Sequence, residues 1–106
     1  MRERKELKTT EKKEIVVRDD DRNYSCQLED ISASGVSVSI SHFIPTYKEI
    51  GVVMEIDGEK VAMTGSVRWS IDAAIARDKK GKLGIRIMNP PPAFLAYVKK
   101  LGGPGR

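Results

Sequence analysis

The sequence predicts an all-β domain: a six-stranded antiparallel β-barrel with a C-terminal α-helix. Three observations carry that prediction. Short runs alternate apolar with polar residues, turn-forming residues stand between the runs, and one apolar stripe of helical period closes the chain. No strand-helix-strand unit points to a parallel sheet, and closure into a barrel removes the exposed edges that six such strands would leave.

The elements follow in order. Residues 1–14, "MRERKELKTTEKKE", hold Leu7 as their only interior apolar residue and read as a flexible basic arm. "EIVVR" is a β-branched run, and "DDDRN" has the composition of a turn. Tyr24, Cys26 and Leu28 share one strand face until Asp30 breaks it, and after Gly35 the alternation resumes in Val36, Val38 and Ile40. Residues 30–35 therefore read as a connection between two antiparallel strands. "SHFIPTYKE" lacks a period and contains Pro45, so it reads as a loop. Val52, Met54 and Ile56 alternate up to Asp57-Gly58, a two-residue hairpin signal. The returning strand places Val61, Met63, Gly65, Val67 and Trp69 on one face, with Gly65 suggesting a bulge or bend. "DAAIARDKKGK" is a charged connection before a last strand with Leu83, Ile85 and Ile87 inward. "NPPP" stops that strand, and Phe94, Tyr97, Val98 and Leu101 fall at i, i+3, i+4 and i+7 of a helix that lies on the sheet. The barrel and helix span residues 15–101, and residues 102–106 form a frayed tail.

Composition narrows the function. The 106 residues carry a net charge of +4 and a pI near 9.3, a modest bias toward anionic partners. One cysteine cannot form an intrachain disulfide, and no run is long and apolar enough to span a membrane, so the expected setting is the cytoplasm. Cys26 reads as a small buried hydrophobe. One cysteine and one histidine, His42, supply neither a metal cluster nor a nucleophile-base pair, and no phosphate-binding glycine loop is present, so the chain is not expected to be an enzyme or to need a cofactor. Tyr24, Trp69, Phe94 and Tyr97 all fall on core faces, which leaves few aromatics to stack on bases and argues against a nucleic-acid partner.

What remains is "DISASG", Asp30 to Gly35, an Asp-x-Ser-x-x-Gly pattern between two strands. It is compatible with a plain turn, because Asp and Ser bond nearby backbone and Gly tolerates positive φ. The arm gives it a second meaning. Arg4 and Lys8 stand four residues apart, and residues 1–13 hold six basic and three acidic side chains. One strand, a turn and a second strand separate Lys8 from Asp30, a path that can return the arm to the same sheet.

With the arm, "DISASG", "GSVRW" and "LGIRI" taken in order, the chain resembles the PilZ domain family, cytoplasmic bacterial receptors for cyclic di-GMP. The resemblance implies a six-stranded barrel with a C-terminal helix and a ligand clamp formed by Arg4, Lys8, Asp30, Ser32 and Gly35. Guanine offers N1-H and N2-H to a carboxylate such as Asp30, and O6 and N7 to a guanidinium such as Arg4. The two phosphates of cyclic di-GMP suit the arm cations, Ser32 and the Gly35 turn. Signalling to a protein effector is the implied output. The family's second arm arginine is Lys8 here, and members without the binding residues act as protein-interaction modules, which is the alternative function.

Overall fold

A computed structural model describes residues 5–6, 13–77 and 79–102. Six strands, β2 (Glu14–Asp19), β3 (Arg22–Ser32), β4 (Gly35–Ser39), β5 (Glu49–Ile56), β6 (Glu59–Ile71) and β7 (Lys82–Met88), pair antiparallel. Their order is β3-β2-β5-β6-β7-β4, and pairing of β4 with β3 closes the ring. A two-residue strand, β1 (Lys5–Glu6), lies against β3 outside that ring. The helix α1 (Pro92–Gly102) follows β7.

The alternation that marks each strand also builds the core. Ile15 and Val17, Val36 and Val38, and Val52 and Met54 all point inward and are fully buried. Phe94, 0% exposed, carries α1 onto one barrel end, and burying its ring contributes about 2–3 kcal/mol. Pro92 suits the first helical position because it has no N-H to leave unpaired. The helix covers the end where β2 begins and the β5-β6 hairpin turns, with the Lys13 ammonium 4.9 Å from the Tyr97 ring centroid and Lys100 3.5 Å from Asp57. The hairpin signal holds as read: Asp57 and Gly58 have φ of 53° and 82°, both positive.

Two details depart from simple alternation. β3 does not stop at Asp30 but runs through Ser32, because Glu29 is an extra residue between the pairs Leu28↔Val38 and Asp30↔Ser37. The bulge leaves Ala33-Ser34 as the whole turn. A second extra residue, Arg68, lies between Val67↔Ile85 and Trp69↔Gly84. Periodicity puts Trp69 on the core face; the structure puts it outside at 38% exposure, since the bulge reverses the phase of β6 beyond Val67. Gly65, which suggests the bulge in sequence, is not its site. It faces inward, where a Cβ would stand 2.5 Å from the Ile85 side chain.

Cys26 is buried as expected, and burial pushes its thiol up to about 11. At neutral pH, modification by a thiol-reactive disulfide should run at least roughly a hundred times slower in the native chain than in urea. A fast native reaction would show that the β2-β3 face opens readily.

The loop between β4 and β5 is fastened at the β2-β3 turn. Asp19 pairs with Lys48 at 2.6 Å and with His42 at 3.2 Å, and His42 stacks on Tyr24 with ring centroids 4.3 Å apart. The Lys48 ammonium, opposed by burial and helped by His42, holds the Asp19 carboxyl below its usual 3.8, and the same pairing raises Lys48. A depressed carboxylate stabilises the fold above about pH 4 and loses that contribution as pH falls through its folded value, whereas the raised lysine loses its own only at strongly alkaline pH. Asp19→Asn should therefore lower the unfolding midpoint by about 5 °C at pH 7, with the difference shrinking below pH 3. Circular dichroism melts at both pH values check it.

Candidate functional site

The sheet register assembles a surface from residues far apart in sequence. One outward row runs Asp30, Ser37, Gly84, Trp69 across β3, β4, β7 and β6, and β1 adds its Glu6 backbone position beyond Asp30. The next outward row runs Ser32, Gly35, Arg86, Ser66, Glu49. Between Asp30 and Trp69 lie three strand spacings, roughly 14 Å. The residues between them are small, so the wall is low there. The Trp69 indole lies over Gly84, where a Cβ would collide with it.

At the Trp69 end the floor deepens into a hollow of about 320 Å³ lined by Ser34, Gly35, Arg68, Trp69, Gly84, Ile85 and Arg86. A neighbouring hollow of about 560 Å³ shares Arg68 and Arg86 and extends to Met88 and Pro90. Another, of about 490 Å³, lies beside Glu14, Gln27, Ser39 and Lys79 and brings together none of the motif residues. The ion pairs found among the described residues involve neither Arg68 nor Arg86.

Asp30 is half-buried and faces outward, turned there by the Glu29 bulge. Ser32 is 2% exposed, and its hydroxyl accepts the Ser34 N-H at 3.3 Å and lies 3.1 Å from the Ser34 hydroxyl. Ser32 shapes the turn, and Ser34 reaches the hollow. Gly35 is buried, and its φ is not positive; a Cβ there would overlap the Ile85 carbonyl oxygen of β7. Its lack of a side chain answers to strand packing. Arg4 and Lys8 lie outside the described residues. The backbone of Lys5 and Glu6 pairs with Ile31 and Asp30. Sequence reasoning missed Ser34 and Trp69 as surface residues and did not place Arg68 or Arg86 in the site. Trp69 pairs with Gly84, which in turn pairs with Ser37, so only small residues follow the indole along its row, a relation that the register shows and the sequence pattern does not.

His42 belongs to the loop fastening and not to this surface. No three potential metal-ligating side chains cluster among the described residues, and none of their helices is long and apolar enough to cross a membrane.

A closed barrel whose outer wall sets a carboxylate at one end of a low floor and an indole with two guanidiniums at the other is built as a binding module. The chain belongs to the PilZ domain family: the family model matches residues 2–100. Domains of this family are non-catalytic binding domains. Among solved structures, the fold is similar to the PilZ domain with c-di-GMP of YcgR from Escherichia coli, with a TM-score of 0.67, 10% identity, and coverage of 94% of this chain and 86% of that one. It is also similar to the Bacillus subtilis inhibitor of motility (MotI/DgrA), with a TM-score of 0.71, 14% identity, and coverage of 97% of this chain and 52% of that one. No curated protein sequence matches the chain.

Proposed function

We propose that this chain is a cytoplasmic receptor domain for cyclic di-GMP that signals to a protein partner. The observation that supports it best is the pairing of Lys5 and Glu6 with Ile31 and Asp30, because it sets the start of the basic arm directly beside the motif carboxylate. Arg4 precedes Lys5 in the chain, and in this reading its guanidinium meets the base that Asp30 holds. PilZ domains are commonly receptors for this nucleotide, and the YcgR domain was solved with it.

In this reading Asp30 accepts N1-H and N2-H of guanine, Arg4 donates to its O6 and N7, and Lys8 neutralises a phosphate. Ser32 acts by holding Ser34 and the turn. Gly35 acts by letting β4 approach β7, which fixes where the turn stands.

Lys8 makes affinity a direct test. An ammonium keeps the charge of the family's arginine and loses its planar, two-pronged donation. Calorimetric titration should show binding to the wild type and binding about ten-fold tighter for Lys8→Arg, the gain of one charge-assisted hydrogen bond. Absence of heat from both proteins at tens of micromolar would exclude the receptor reading and leave the non-binding protein-interaction module.

A further inference from the structure

We propose that Arg68 and Arg86 form an anion-binding wall on the barrel itself, gripping a phosphodiester of the ligand from the side opposite Asp30. The proposal rests on the receptor reading above and adds two residues that neither motif's ligand positions include.

Four observations converge on it. Arg68 is the extra residue of the β6 bulge, so it has no cross-strand partner and stands on the outer face beside Arg86 of β7. Bulges of this kind re-aim a side chain where function needs it. Arg86 pairs with Gly35, so no side chain stands between its guanidinium and the motif turn on that strand. Both arginines are exposed and both line the hollow that Ser34 and Trp69 also line, and among the described residues no acidic one lines it. Like charges on neighbouring strands repel, and an oxyanion placed between them relieves that repulsion while its two free oxygens meet two planar forks.

Arg68 is also held from behind. Its guanidinium carbon lies 5.8 Å from the centroid of the Tyr47 ring, at cation-π distance. Tyr47 is 76% exposed and sits at φ 70°, a conformation a bulky residue adopts only when its surroundings impose it. Two backbone bonds impose it here: Tyr47 N-H donates to Val67 O at 2.6 Å, and Val67 N-H donates to Lys48 O at 3.0 Å. The Asp19-Lys48 pair then ties this loop to the barrel. Tyr47 is thus a positioning residue for Arg68. The wall supplies from the barrel the guanidinium chemistry that Lys8 lacks.

The test titrates cyclic di-GMP into the full chain by calorimetry, with emission of Trp69, the only tryptophan, as a second readout beside the hollow. Arg68→Gln and Arg86→Gln should each weaken binding roughly ten-fold, and the double variant roughly a hundred-fold. The paired Arg→Lys variant should recover part of the loss, with unfolding midpoints unchanged because both side chains are exposed. Tyr47→Ala should weaken binding about two- to five-fold, and Tyr47→Phe should restore it, since the phenyl face keeps the cation-π contact. If both glutamine variants bind as the wild type while Asp30→Ala does not, the wall is wrong and the receptor reading stands. If neither the wild type nor Lys8→Arg gives heat or an emission change, both fall together.

Discussion

Gly35→Ala should lower the midpoint of thermal unfolding by about 10 °C or more, with no ligand present. The new Cβ would overlap the carbonyl oxygen of Ile85 and stand 3.1 Å from the Arg86 Cα. These are backbone atoms within a paired sheet, and no rotamer change moves them aside. Strands β4 and β7 must separate, at a cost of roughly 2–3 kcal/mol, which in a domain of this size becomes the stated drop. A circular dichroism melt decides it; a midpoint within 2 °C of wild type would show that the β4-β7 pairing yields without cost. Loss of ligand by a Gly35 variant then follows from a displaced turn and carries no information about a contact at Gly35.

Asp30→Ala should do the reverse, leaving the barrel folded while weakening cyclic di-GMP binding at least roughly a hundred-fold. A carboxylate that accepts two N-H groups of one guanine edge makes two charge-assisted hydrogen bonds, each contributing about 1.5–3 kcal/mol, and Ala makes neither. The β3 backbone that carries the residue keeps its pairings with β4 and β1. Calorimetry with a parallel melt separates the two effects. Binding within three-fold of wild type would remove Asp30 from the site and with it the guanine clamp.

Much of the fold is legible because each strand obeys the two-residue period and each turn uses residues with a local reason to be there. Asp57-Gly58 is the clearest case, since both residues adopt the positive φ their identities anticipate. The site was half legible. Asp30 and Gly35 stand out as residue types, yet their roles divide in a way no letter reveals: one faces outward from a strand, and the other is excluded volume between two strands. Trp69 was misplaced because periodicity assumes an uninterrupted ladder, and a single unpaired arginine shifts everything after it. β1 was hidden for a different reason: two charged residues in a polar arm carry no apolar pattern, and their pairing exists only because β3 offers a free edge there.

Glu29 and Arg68 stand just before Asp30 and Trp69, the two ends of one cross-strand row, and each is one residue more than its partner strand requires. The surface is therefore written in spacing as well as in side chains. Three steps separate the inward residues Leu28 and Ile31, where unbroken alternation would use two or four. A strand in which Glu29 or Arg68 took a ladder position of its own would keep every motif letter and still turn the carboxylate or the indole toward the interior. Recognition of a receptor of this kind is thus a matter of counting residues between core anchors as much as of reading their names.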